Sequence, residues 1–165
     1  MLEGPEMTQE ILLETREMNI GYKGPKGERS IAAGLDLEVC RGELICLVGP
    51  NGVGKSTLLR TLAGLHNVLK GHVFLKGQEI TLFSSVELAK ILGLVLTDRV
   101  EMEGFNVFDI VALGRFPHTD WKGSLQEEDR RIITGSLSMV QGESLEGRKI
   151  GELSDGERQK VMIAR

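Results

Sequence analysis

Gly49-Pro50-Asn51-Gly52-Val53-Gly54-Lys55-Ser56-Thr57 is the stretch that decides the fold of this chain, because it satisfies the pattern G-x-x-x-x-G-K-[ST]. Its glycines allow backbone N–H groups to turn inward as a nest for an anion, and a helix that follows points its positive end at the same place. Lys55 supplies a positive charge for the β- and γ-phosphates of a nucleotide, and Ser56 offers a hydroxyl to Mg²⁺. These nine residues therefore predict a loop that binds a nucleoside triphosphate.

The sequence on either side of this phosphate loop fits the same interpretation. Residues 44–48 (Leu-Ile-Cys-Leu-Val) form an apolar run that predicts a strand buried on both faces of a parallel sheet. After the loop, leucines recur at helical spacing, and Gly64 is a plausible helix stop. Those leucines are Leu58, Leu59, Leu62 and Leu65. A glycine-rich turn with an incidental lysine would leave both flanks unexplained.

The composition excludes several other classes of protein. The chain has 165 residues, of which 41% are hydrophobic and 27% charged, as in a globular domain with a real core. The net charge of −4 and the lack of a Lys/Arg run argue against nucleic acid as a partner. There is no apolar stretch long enough for a membrane span and no signal-peptide pattern, so we expect no direct insertion into lipid.

The cysteines and histidines give no sign of a metal or redox site. Cys40 and Cys46 are expected to be thiols of the core. The three histidines lack the spacing of metal ligands, and surface or loop positions are expected for them. They are His66, His72 and His118.

Several strands and one helix are expected before residue 98. The alternating residues 35–39 predict a half-exposed strand whose partner includes residues 18–20, with a turn-rich linker over 23–29. Further strands are predicted at 73–75 and, buried, at 91–96. Ser84 and Glu87 form a capping box that predicts the start of a helix toward Lys90.

The character of the sequence changes at about residue 98. Residues 106–115 and 127–140 show helical apolar spacing and predict a small helical subdomain. Ser124 and Glu127 suggest a second capping box, at the start of the second of these helices.

Leu153-Ser154-Asp155-Gly156-Glu157-Arg158-Gln159-Lys160 is the second informative motif. Alone, its Ser-x-x-Glu pattern indicates only another capping box. Together with a phosphate loop about a hundred residues upstream, it resembles the Leu-Ser-Gly-Gly-Gln signature of ABC ATPases. The resemblance covers residues 18–165. Asp155 departs from the usual glycine, and its carboxylate could repel phosphate unless it points away or pairs with Arg158.

The resemblance implies an α/β fold: a P-loop nucleoside triphosphatase core with an N-terminal antiparallel β subdomain and an inserted α-helical subdomain, incomplete at the C-terminus. The implied divisions are about 8–97 for the β subdomain and core, 98–152 for the helical subdomain, and 153–165 for the signature motif and the start of its helix. ATP and Mg²⁺ are the implied ligands. Tyr22 falls where the family carries an aromatic that stacks on adenine, although a partly buried strand tyrosine remains an alternative.

The resemblance also implies partners. In this family two subunits dimerise head to tail, so the signature residues Ser154, Asp155, Gly156 and Glu157 would close over ATP held by the phosphate loop of a second subunit. Residues 110–118 (Ile-Val-Ala-Leu-Gly-Arg-Phe-Pro-His) are similar to a segment of importers of iron–siderophores, haem and cobalamin. A peripheral position at the cytoplasmic face of the membrane, with the helical subdomain on an integral permease, is the expectation.

Two departures from the family pattern limit these expectations. Thr97 stands where the family has its Q-loop glutamine, and our hypothesis is that Thr97 or Asp98 joins Ser56 in holding Mg²⁺. The chain stops at Arg165, before the place of the Walker B strand and its catalytic glutamate, so no general base can be assigned. We therefore expect a fragment of a longer product, with residues 44–48 forming an exposed apolar sheet edge and poor solubility in isolation.

Two other functions remain open at this point. A soluble ABC ATPase that works on nucleic acid or ribosomes would carry the same two motifs, but the acidic charge and the short helical insert disfavour it. A non-catalytic nucleotide-binding module would need no Walker B strand.

Overall fold

The computed structural model describes residues 10–25, 27–95, 104–120 and 122–165. The chain divides into two compact units, Met1–Leu88 and Ala89–Arg165. Among the described residues, no helix combines the length and the apolarity that crossing a bilayer requires. The first unit is built on a sheet and the second on helices, which places an antiparallel β region before a helical region as the sequence predicts.

An antiparallel sheet forms the first unit. Its strands are β1 (Ile11–Gly24), β2 (Gly27–Leu35), β3 (Glu38–Cys40), β4 (Lys70–Leu75) and β5 (Gln78–Glu79). They lie in the order β2-β1-β4-β5, and β3 also pairs with β1. The segment predicted as a turn-rich linker is mainly a tight hairpin, in which Tyr22 pairs with Arg29 and Gly24 with Gly27.

One helix, α1 (Lys55–Leu62), packs against this sheet. Leu58 and Leu62 contact a core that contains Met18, Ile20 and Val73, as their helical spacing predicts. The helix ends where expected, with Gly64 at φ 72° two residues later. Leu59 and Leu65, which share the leucine pattern, lie instead on the surface, 48% and 59% exposed.

Helices form the second unit. They are α3 (Val107–Ala112), α4 (Glu127–Met139) and α5 (Asp155–Ala164), and α2 (Ser85–Ile91) precedes them across the boundary between the units. Short 3₁₀ turns follow α3 and precede α5, at Leu113–His118, Glu143–Leu145 and Ile150–Glu152. Val107, Ile110, Ile133, Leu137 and Val161 are buried together and hold the three helices in one core.

Two strand predictions are wrong for the structure. Residues 44–48 form no strand, and Leu44 and Val48 are 92% and 89% exposed. No described strand pairs with this segment, so its backbone has no ladder of hydrogen bonds to hold it extended in a sheet. Residues 92–95 are likewise irregular after the end of α2, and residue 96 lies outside the described residues.

Smaller expectations are also corrected. The predicted strand over residues 35–39 is divided between the end of β2 and the short β3. Cys46 is exposed with the rest of its segment, so it is not a thiol of the core. The helix α4 is capped by Gln126 and Asp129 and not by the predicted Ser124 and Glu127.

Candidate functional site

The backbone of the phosphate loop (residues 49–57) explains two of its glycines. Gly54 has φ 107° and is the N-cap of α1, while Gly52 has φ 82°. These left-handed conformations strain any L-residue, and a Cβ at Gly54 would also meet the side chain of Ile31. Gly49 lies outside the left-handed region. The chain therefore turns at Gly52 and Gly54 and enters the helix directly at Lys55.

Lys55 is anchored on the loop that precedes it. Its Nζ donates hydrogen bonds to the carbonyl oxygen of Gly49, at 2.7 Å, and to that of Pro50, at 2.9 Å. An ammonium group has three N–H donors, so these two bonds fix the position of the charge and leave one donor for an anion. The loop thus curls around its own lysine at the N-terminus of α1, where the helix dipole adds positive potential.

A cavity of about 390 Å³ opens in front of the loop, and all of its lining residues belong to the first unit. One wall consists of loop and helix residues: Asn51, Gly52, Gly54, Lys55, Ser56 and Thr57. The facing wall belongs to the β1–β2 hairpin and consists of Tyr22, Arg29 and Ile31. The structure therefore brings Tyr22 together with the predicted phosphate-binding residues. Gly49, Pro50 and Val53 are not among the lining residues.

Tyr22 stands on the hairpin wall and reaches across to the helix. Its Oη lies 2.9 Å from Thr57 Oγ1, within hydrogen-bond distance, and its ring meets the ring of His66 edge-on at 5.8 Å between centroids. The residue is 45% exposed. Its ring is thus held on the hairpin wall of the cavity by contacts of its own, and stacking on adenine stays a prediction.

Magnesium was predicted to be held by three residues, of which the structure describes one. Ser56 lines the cavity in the first turn of α1 and offers the hard oxygen that Mg²⁺ prefers. Thr97 and Asp98 lie outside the described residues, so their predicted role is not tested. Within the described part of the chain, no group of three or more His, Cys, Asp or Glu side chains could hold a metal ion.

The signature motif opens α5 in the second unit. Ser154 is the N-cap: the Glu157 backbone N–H donates to its Oγ at 3.3 Å, while its own N–H and hydroxyl both donate to Glu157 Oε2 at 2.8 Å. The predicted capping box is therefore confirmed. Asp155 and Gly156 are exposed in the first turn, where the helix dipole favours the Asp155 carboxylate. Contact of these residues with a nucleotide stays a prediction.

The carboxylate of Glu157 accepts several of the hydrogen bonds around this motif. Hydrogen bonds from the Ser154 backbone and hydroxyl, and then from Arg148, hold the pKa of the Glu157 carboxyl below its ordinary value. The Arg148 guanidinium donates to Glu157 Oε1 at 2.8 Å and to the Glu152 carbonyl oxygen at 2.8 Å. Both oxygens of the carboxylate are thus engaged, Oε2 by Ser154 and Oε1 by Arg148, which fixes the geometry of the helix N-terminus.

Sequence reasoning missed Arg29 as a residue of the cavity. Its position follows from the hairpin register, in which it lies directly opposite Tyr22. The available signal was the short Gly-Pro-Lys-Gly segment at 24–27, because counting outward from a tight turn there gives that pairing. The prediction of a linker over residues 23–29 left no strand pairing from which the position of Arg29 could be counted.

Comparison with known proteins places these features in context. The family model described as ABC transporter matches residues 32–165. An uncharacterized ABC transporter ATP-binding protein of Methanocaldococcus jannaschii is 45% identical over 154 residues, which are 93% of this chain and 52% of that protein. The iron(3+)-hydroxamate import ATP-binding protein of Bacillus subtilis is 37% identical, over 92% of this chain and 55% of that protein.

Solved structures agree with the fold. The structure of cbiO1 from Clostridium perfringens, part of the ABC transporter complex cbiONQ, is similar with a TM-score of 0.74 and 26% sequence identity. The match covers 94% of this chain and 61% of that one. The α/β fold that the resemblance implies is thereby confirmed. This chain spans about half the length of the two relatives described above.

Proposed function

This chain belongs to the ABC transporter family, and on that premise we propose that it is the nucleotide-binding part of a subunit that energises import of an iron complex. The cargo would be a siderophore, haem or a cobalamin-like chelate. ATP binding and hydrolysis by the whole subunit would drive the transport.

The observation that carries the nucleotide part of this proposal is the shared cavity of the phosphate loop and the hairpin. It joins the anchored Lys55 ammonium, the Ser56 hydroxyl and the N-terminus of α1 on one wall, with the Tyr22 ring on the other. A triphosphate fits the first wall because positive charge and N–H donors converge there. An aromatic ring on the facing wall offers a face to a base.

Each group would have a separate role in binding. Lys55 would donate its remaining N–H to the β- and γ-phosphates, and Ser56 would hold Mg²⁺ through its hydroxyl. When bound, Mg²⁺ neutralises charge on the phosphate oxygens during phosphoryl transfer. Ser154 to Glu157 would face the nucleotide of a second subunit in a head-to-tail dimer, where the first turn of α5 presents N–H groups to phosphate.

The import direction and the cargo class are supported by relatives and by one segment of the chain. The Bacillus subtilis relative is an iron(3+)-hydroxamate import ATP-binding protein. Residues 110–118, which resemble a segment of such importers, lie in α3 and the 3₁₀ turn that follows it. On this basis we place the subunit at the cytoplasmic face of the membrane, bound to an integral permease.

Calorimetric titration with Mg²⁺ and ATP tests the nucleotide part. Lys55→Ala should weaken ATP binding at least tenfold while the circular dichroism spectrum stays unchanged, because one charged phosphate contact is worth roughly 1.5–3 kcal/mol. Lys70→Ala, which removes an exposed lysine outside the cavity, is the control and should bind as the original chain does. Equal ATP affinity of both variants would overturn the assignment of the cavity.

The import part needs the whole subunit. Cells that lack the gene should lose uptake of an iron-loaded hydroxamate, haem or cobalamin, and the full-length gene should restore it. Restoration by a gene that carries the lysine-to-alanine change in the phosphate loop would contradict an ATP-driven role.

A further inference from the structure

We propose that Arg29 is a second phosphate-binding cation of the cavity, which acts from the hairpin wall opposite Lys55. The inference rests on the proposed function, because it assumes that the cavity takes a nucleoside triphosphate. It adds a binding residue on a different element from the phosphate loop.

The hairpin register directs Arg29 toward the cavity. Arg29 lies directly opposite Tyr22 in the antiparallel pair of β1 and β2, and residues opposed in this way project from the same face of a sheet. Ile31 lies further along β2, at an irregularity of the strand pairing, and its side chain lies against Gly54 of the loop. Tyr22, Arg29 and Ile31 all belong to the residues that line the cavity. Arg29 and Ile31 therefore belong to the same wall of the cavity, the one that faces the phosphate loop.

The charge of Arg29 is available for a ligand. Within the described residues its guanidinium has no carboxylate partner, whereas Lys23 on the same hairpin pairs with Glu28 at 3.2 Å. Lys55, on the other wall, already uses two of its N–H donors on carbonyl oxygens of the loop. A triphosphate carries several negative charges, so a further set of donors on the facing wall would complement it.

The chemistry of the side chain favours a phosphate over the base or the ribose as its contact. A guanidinium presents five N–H donors in a planar fork that matches two phosphate oxygens at once. Its hydrogen bonds to an anionic oxygen are stronger than those to a neutral hydroxyl or ring nitrogen. The ring of Tyr22 already offers the hairpin wall a contact for the base. Arg29 is thus assigned to the phosphate chain.

Binding of ATP, AMP and inorganic tripolyphosphate to four forms of the chain tests this assignment. Arg29→Met should weaken ATP and tripolyphosphate binding by about five- to tenfold, as expected for one exposed charged hydrogen bond, and should weaken AMP binding less. Arg29→Lys should recover part of the loss, because it restores the charge without the fork. Lys23→Met is the matched control, since it removes one positive charge from the same hairpin outside the cavity.

The salt dependence of affinity adds a readout that a structural role would not move. The loss of a phosphate contact should make ATP affinity fall less steeply with salt in Arg29→Met than in the original chain. Circular dichroism checks that all variants fold alike.

Each contrary outcome has a distinct meaning. Unchanged ATP affinity in Arg29→Met, with a loss in Lys55→Ala, would overturn this inference and leave the proposed function standing. An equal loss in Lys23→Met would show only a general effect of charge and would also overturn it. A loss for AMP and ATP without one for tripolyphosphate would assign Arg29 to the nucleoside. A folded original chain that binds none of the three ligands would overturn the proposed function itself.

Discussion

Among single residues, Tyr22 and Thr57 make a hydrogen bond that joins the hairpin wall to the phosphate loop. Their hydroxyl groups lie 2.9 Å apart, and Thr57 is only 6% exposed. Tyr22→Phe keeps the ring and removes this bond, so it should lower the free energy of unfolding by roughly 0.5–1.5 kcal/mol in urea titrations. Thr57→Val, which keeps the shape of the side chain, should have a similar effect.

The double variant separates this bond from other effects of the two substitutions. If the hydroxyl groups act on each other, Tyr22→Phe combined with Thr57→Val should destabilise the chain less than the two single changes added together. Strict additivity would contradict the hydrogen bond. His66→Ala serves as a reference for changes around the Tyr22 ring. His66 contacts that ring in an edge-on arrangement and does not contact the Tyr22 hydroxyl through a hydrogen bond.

The role of a residue could be predicted well when it depends only on neighbours in sequence, and poorly when it depends on contacts with distant parts of the chain. Ser154 and Glu157 were predicted correctly because a capping box depends on spacing within one turn of helix. Ser124 and Glu127 have the same spacing, yet α4 begins with Gln126 and Asp129. Asp129 takes the capping position in the first turn of α4 because its carboxylate also pairs with Arg115, which is distant in sequence. Arg29 was missed for a related reason, since its place depends on strand register.

At the scale of elements, the N-terminus of α4 depends on one buried carboxylate. Asp129 Oδ2 accepts from the Gln126 backbone N–H at 2.9 Å, and Asp129 Oδ1 accepts from Arg115 Nε at 2.8 Å. These bonds, the backbone one foremost, hold the pKa of Asp129 below its ordinary value. The carboxylate therefore fixes both the start of α4 and the 3₁₀ turn that carries Arg115.

Asp129→Asn should lower the thermal midpoint of unfolding by several degrees at pH 7. The amide loses the charge that interacts with Arg115 and with the helix dipole. Because the pKa of Asp129 is lower in the folded than in the unfolded chain, its stabilisation is full above about pH 4 and is lost as the pH falls through the folded value. The difference between variant and original should therefore shrink in that acidic range, as measured by circular dichroism melting curves.

Glu128→Gln is the matched control for this element. It removes one negative charge from the same turn of α4, but Glu128 is exposed and takes no part in the capping box. The thermal midpoint of Glu128→Gln should differ little from that of the original chain, both at pH 7 and in the acidic range. An equal effect in both variants would mean that general charge near the helix dipole, and not the specific cap, stabilises α4.

At the scale of the whole molecule, the helices were easier to predict from the sequence than the strands. α1, α3 and α4 appear within a few residues of their predicted places because helical spacing is set within the segment itself. Residues 44–48 and 91–96 were predicted as strands from apolar runs alone. Such a run becomes a strand only when neighbours pair with it, and the described residues supply none. Residues 44–48 are exposed, but they form no strand and therefore no sheet edge.

That exposed segment should govern the behaviour of the isolated chain in solution. Leu44 and Val48 are 92% and 89% exposed, and apolar surface of this kind promotes association between molecules. The double variant Leu44→Gln with Val48→Thr should reduce both self-association in analytical ultracentrifugation and the binding of a hydrophobic dye. It should leave the unfolding midpoint almost unchanged, since neither side chain is packed in a core.

Met139→Gln distinguishes this effect from a general gain in surface polarity. Met139 is 88% exposed at the end of α4, apart in sequence from residues 44–48. If the segment is the adhesive surface, the control should associate as strongly as the original chain does, because a single exposed apolar residue is an ordinary surface feature. Equal improvement in both variants would instead mean that association depends on total apolar exposure. No improvement in the double variant would place the adhesive surface elsewhere on the molecule.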